Sequence, residues 1–204
     1  MTDASPKEAV VAYFDALDRA AWGEAIALID PVHVTAYREQ RLAHIIAWLA
    51  YRKLRPKASG YSSSGSVSPE TIAKHAHELV LPYGPGVTVG SLAALPPPAF
   101  MQNDLEIGRR VGTAAAFGHV ERDAVMRGDR ARRRILGELP YNYDHAYVAY
   151  VRTPDDDSAL DNPWFLPHLE SMPVRRRGAR WYIGASMATQ MMGPHLPSLE
   201  DDPS

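Results

Sequence analysis

Residues 137–153, Gly-Glu-Leu-Pro-Tyr-Asn-Tyr-Asp-His-Ala-Tyr-Val-Ala-Tyr-Val-Arg-Thr, carry two short runs separated by a turn. From Asp144 onward, aromatic, alanine and β-branched residues alternate, the period of a strand with two different faces. Pro140 to Asp144 is the turn chemistry that reverses such a strand on its predecessor. A second stretch of this kind, residues 174–186, reads Val-Arg-Arg-Arg-Gly-Ala-Arg-Trp-Tyr-Ile-Gly-Ala-Ser, with Arg177-Gly178-Ala179 as its turn. Strands are therefore expected at 135–139, 145–152, 172–177 and 181–186, forming an antiparallel sheet. A weaker strand is conceivable at 111–120, but the alanine run Ala114 to Ala116 is equally good helix.

Upstream the period changes to that of helices. Ser5-Pro6-Lys7-Glu8 has the layout of a capping box with Pro at the first helical position. Val10, Val11, Phe14, Leu17 and Ala21 then recur at three- and four-residue steps, with Tyr13 beside them. A second short helix is expected at 24–29, stopped by Asp30-Pro31, and a long one at 33–54 with Val34, Tyr37, Leu42, Ile45, Ile46, Trp48 and Leu49 on its apolar side. Residues 55–69 are rich in Ser, Gly and Pro, the composition of a flexible connection. Helices are expected again at 71–81 and 98–107. The tail from 191 to 204 is proline-broken and acidic, and is expected to be flexible.

Helices first and strands afterwards define an α+β chain. Its 204 residues suit one cored domain, with 46% hydrophobic and 23% charged residues. Net charge is −2, so no overall field recruits nucleic acid or an anionic membrane. The chain has no cysteine, which excludes thiol nucleophiles, thiolate zinc sites and disulfides. Without a leader-like N-terminus or an apolar run long enough for a membrane span, a soluble cytoplasmic protein is expected.

Residues 6–31, Pro-Lys-Glu-Ala-Val-Val-Ala-Tyr-Phe-Asp-Ala-Leu-Asp-Arg-Ala-Ala-Trp-Gly-Glu-Ala-Ile-Ala-Leu-Ile-Asp-Pro, are similar to the first two helices of the NTF2-like superfamily, which includes ketosteroid isomerase and SnoaL-like proteins. The two hairpin stretches resemble its terminal strands. The resemblance implies a cone-shaped fold, with N-terminal helices packed on a curved antiparallel sheet around an apolar cavity. It implies one domain over 1–190, with a helical insert at about 31–108 that departs from the usual compact form. Family members use the cavity for isomerisation, hydrolysis, dehydration or cyclisation of small apolar molecules, or only for binding, and homodimers are common among them.

Within that frame Tyr13 is a candidate hydrogen-bond donor to a developing oxyanion, and Asp144 a candidate carboxylate base. Alternation puts His145, Tyr147, Ala149 and Val151 on one face of their strand; if that face lines the cavity, His145 and Tyr147 are acid–base candidates. Phe14 and Trp22 are expected to line the same cavity. His33 and Tyr37, four residues apart, share a helix face with Trp48 and His44 nearby, a stripe that would hold a ligand or pack as core. His75 and Glu78 are spaced to share a metal, but two ligands do not make a site, and no metal or cofactor is expected. The arginines at 130–134 and 175–180 read as a solvated, mixed-charge sheet face. The glycines fit neither a dinucleotide nor a P-loop pattern, and the serines at 60–65 form no nucleophile elbow.

Two functions follow. The first is a small-molecule-binding protein, enzymatic or not, acting on an apolar substrate in the cone cavity. The alternative is a non-catalytic module that dimerises or binds another protein through its sheet, with the cavity filled by its own side chains. The Ser/Gly stretch at 59–66 would be a lid in the first case. In the second, the middle helices would expose an apolar stripe containing Trp48.

Overall fold

Ser5 accepts a hydrogen bond from the Glu8 backbone N–H through Oγ (3.2 Å), and Glu8 returns one from the Ser5 N–H (2.7 Å), so the first helix begins where its capping box dictates. The computed structural model describes residues 5–54, 67–117, 131–154 and 168–184. It is an α+β structure with six helices and one sheet among the described residues: α1 Pro6–Asp18, α2 Trp22–Ala27, α3 Pro31–Leu54, α4 Pro69–His75, α5 Val89–Ala93 and α6 Pro97–Phe117, then β1 Ala131–Pro140, β2 His145–Pro154, β3 His168–Arg177 and β4 Arg180–Ile183. The expected stretches 59–66 and 191–204 lie outside the described residues.

The chain forms two compact units. One is built from the described residues of Met1–Asp30 and Gly108–Ser204, the other from those of Pro31–Ile107.

In the first unit the sheet is an antiparallel meander, ordered β1-β2-β3-β4. Its two described turns, β1–β2 and β3–β4, are the expected ones. The Tyr141 and Asn142 N–H groups both donate to the His145 carbonyl, closing the first turn. At the last, Gly178 takes φ +62°, the left-handed value needed at the first central position of a two-residue hairpin. Across the ladder Ala146, Val174 and Ile183 form one buried row, and Val148 and Met172 another. Helix α1 lies over this face, touching all four strands, and the Phe14 ring meets Tyr150 edge-on at 4.9 Å.

A register shift between Ile135 and Gly137 aims β1 at both ends of α1. Leu136 is the extra residue, and beyond it Glu138 pairs with Val148, on the helix side. The Glu138 carboxylate accepts the Lys7 N–H at the start of α1 (2.8 Å), a position favourable to negative charge. Before the shift, Arg133 lays its guanidinium over the Phe14 ring and reaches Asp18 at the far end of α1 (2.6 Å). Arg133 is thus turned inward, which corrects the expectation that its arginine run is uniformly solvated. Strand β4 is tied to the end of α2 as well: the Ile183 N–H donates to the Leu28 carbonyl and the Asp30 N–H to the Ile183 carbonyl. The buried Asp30 carboxylate accepts from Arg177 Nε (2.8 Å).

Helix α1 ends in a Schellman motif, with the Ala21 N–H bonded to the Ala16 carbonyl and the Ala20 N–H to Leu17. Its left-handed residue is Ala20 at φ +55°, where glycine is the unstrained choice. Ala20→Gly is therefore expected to raise stability by about 0.5–1 kcal/mol in urea unfolding, since relief of the left-handed backbone exceeds the added chain entropy; a loss of stability would show the turn to be unstrained.

The second unit is helical. Val34, Leu42, Ile45, Ile46 and Leu49 of α3 are buried, as are Val80, Val89, Leu92, Phe100 and Met101. Helix α4 stops at His75 rather than near 81, and Leu79 instead bridges to Thr88, with the Val89 N–H donating to the Glu78 carbonyl. Thr88 and Ser91 cap α5 reciprocally. Helix α6 continues past the expected end at 107 to Phe117, so residues 111–117 are helix and not strand.

Candidate functional site

Helix α1 buries Tyr13 and Phe14 in the first unit. Burial pushes the Tyr13 phenol far above its ordinary range, and the nearby Arg133 only partly offsets this. Trp22 is half-buried at the start of α2.

Strand β2 faces two ways. Ala146, Val148 and Tyr150 are the residues turned to α1, while His145 and Tyr147 project from the opposite face. Asp144 sits in the β1–β2 turn, and its carboxylate faces His145 Nδ1 at 2.8 Å, with Asn142 Oδ1 at 3.2 Å from the same nitrogen. The His145 hydrogen bond holds the Asp144 carboxyl below its ordinary range. This pair has the layout of an oriented base, but both side chains are nearly half exposed, so water screens their interaction. Tyr13 and Asp144 are thus divided between a sealed layer and an open turn.

His33, Tyr37 and Trp48 belong to the second unit. His33 and Trp48 are half-buried, and the Arg52 guanidinium lies 5.0 Å from the Trp48 ring. Tyr37 is buried in the most concentrated polar cluster of the described structure. Asp104, fully buried, accepts hydrogen bonds from the Tyr37 hydroxyl on Oδ2 and the Tyr83 hydroxyl on Oδ1, while Arg41 Nε donates to both oxygens (2.9 and 3.2 Å). Three elements converge on one carboxylate: α3 supplies Tyr37 and Arg41 one turn apart, the turn Leu81–Tyr83 supplies Tyr83, and α6 supplies Asp104. Burial first, and then the negative charge of Asp104, push the Tyr37 phenol far above its ordinary range; burial does the same to Tyr83. His44, one turn after Arg41, is held below the usual histidine range by partial burial and then by the Arg41 charge.

Sequence reasoning singled out Tyr37 but missed Asp104, Tyr83 and Arg41. The trace was there: Phe100, Asp104 and Ile107 stand at helical spacing, a lone carboxylate inside an apolar stripe. Chemically the cluster is a lock. Its carboxylate is occupied by three donors, which tie α3, the Leu81–Tyr83 turn and α6 together.

His75 Nδ1 bonds Glu78, which also accepts from Lys53 Nζ (2.7 Å). Burial alone would raise the Glu78 carboxyl, but the bonds from Lys53 and His75 outweigh it and hold it low. Among the described residues no three His, Cys, Asp or Glu side chains are grouped as metal ligands. No described helix is long and apolar enough to cross a membrane.

The chain matches no known family model, no curated protein and no solved structure.

Proposed function

We propose that this chain is a non-catalytic, NTF2-like interaction module that works through the open face of its sheet. One observation carries the reading. The strands that bury Val148, Tyr150 and Met172 against α1 present Leu139 (60% exposed), Tyr147 (43%) and Leu169 (72%) on the other side. Leu139 and Tyr147 are ladder partners, and Tyr147 pairs in turn with Pro173, so these side chains belong to one surface. A grouped apolar surface on a rigid sheet is the mark of a binding face.

The NTF2-like frame itself rests on the resemblance of the helical start and the hairpins, supported by helices packed on one side of an antiparallel sheet. Within that frame the small-molecule reading needs Tyr13 to face an open cavity. Tyr13, Phe14, Tyr150 and Met172 are instead closed from water in one layer, which favours an interior filled by the chain's own side chains.

Native mass spectrometry of the purified chain, followed by denaturation, separates the two readings. The expected result is polypeptide alone, with Tyr13→Phe changing only stability, by about 1–2 kcal/mol for a buried hydroxyl. Stoichiometric release of a small apolar compound would restore the cavity reading.

A further inference from the structure

The open sheet face is chemically one-sided. None of its described outward strand positions carries a carboxylate: the strand glutamates Glu138 and Glu170 are turned to the helix side, where they bond the Lys7 N–H and the Tyr150 hydroxyl. Arginines take the outward positions instead. Arg134 is exposed opposite Val151; Arg175 lies across from His145, its Nε buried without a hydrogen-bond partner among the described residues. Arg180 is exposed, its guanidinium 5.2 Å from the Tyr182 ring, with Nη2 donating to the Ala27 carbonyl at 3.4 Å and its remaining N–H groups facing solvent. Two described carboxylates lie at its rim: Asp144, held on His145, and the buried Asp30, which accepts from Arg177 Nε. This basic, apolar-centred surface belongs to a chain whose net charge is −2.

We infer that the occupant of this face is an acidic, apolar-anchored segment of another protein, an inference that rests on the interaction reading above. A second copy is the poorer fit. In a two-fold contact the face meets itself, so arginines would approach arginines with no carboxylate at the described outward strand positions to answer them. Leu139, Tyr147 and Leu169 supply the apolar contact, while Arg134 and Arg180 flank it with guanidinium forks suited to carboxylates.

The test uses the full chain, a fluorescein-labelled peptide of alternating Leu and Val flanked by glutamates, and its lysine-flanked twin. Anisotropy should show binding of the glutamate peptide alone. Affinity should fall about tenfold or more between low and high salt, and again in Arg134→Glu/Arg180→Glu, since each exposed contact is screened and charge-specific. Tyr147→Asp should abolish binding with the melting temperature unchanged. Sedimentation of the same samples supplies the other arm. A dimer that Tyr147→Asp dissociates would overturn the acidic-partner inference and leave the interaction reading standing. Equal binding of both peptides would also overturn the inference alone. A monomer that binds neither peptide would overturn both.

Discussion

Asp104→Ala is expected to cost about 3–5 kcal/mol, the loss characteristic of a buried ion pair broken from one side. The substitution leaves the Arg41 guanidinium, nearly buried, without its carboxylate, and strips both Tyr37 and Tyr83 of their acceptor. Against a domain stability of about 5–15 kcal/mol, such a loss brings residues 31–107 close to unfolding. Tyr37→Phe removes one donor and should cost only about 1–2 kcal/mol. The two changes share a partner, so the double variant should lose clearly less than their sum. Urea unfolding of the four proteins measures this cycle. A cost below about 1 kcal/mol for Asp104→Ala, or strict additivity, would mean that water already serves the carboxylate.

Alkaline pH should unfold the protein through the same chemistry. Tyr13, Tyr37 and Tyr83 each have a phenol raised above its ordinary value of about 10 by burial. A raised folded value means that the stabilising contribution is fully present below about pH 10 and is lost as pH rises beyond it, because the unfolded chain releases those protons first. With three such groups, stability should fall by up to about 4 kcal/mol per pH unit, roughly 1.4 for each. These three should therefore contribute phenolate absorbance late and together with loss of circular dichroism. A single reversible titration of all ten tyrosines near pH 10 with unchanged ellipticity would show the three to be solvated.

The hairpins were legible because strands announce themselves locally. Alternation from Asp144 onward and the glycine at 178 both express geometry confined to a few residues. Alternation divided β2 into two sets of residues, but it could not say which set meets the helix. That choice depends on where α1 lies, so His145 and Tyr147 read as candidates for a lined cavity while Ala146, Val148 and Tyr150 took the buried side. Arg133 was hidden for a related reason. Within a run of arginines it looks solvated, and its inward turn appears only once Phe14 and Asp18 are above it. Helix α4 stops early because Glu78 and Leu79 are drawn into contacts with Val89 and Thr88 at the α5 entry that no helical period reveals. The Asp104 cluster joins residues 37, 41, 83 and 104, and no local pattern links such distant positions.

The claim that the open sheet face is the working surface is tested most directly by photo-crosslinking in the cells that make the protein. A benzophenone amino acid at Tyr147, exposed on that face, is compared with one at Val11, exposed on α1. The account predicts one dominant polypeptide adduct from position 147, and none from position 11. Equal yields at the two positions, or no adduct from 147, would contradict it.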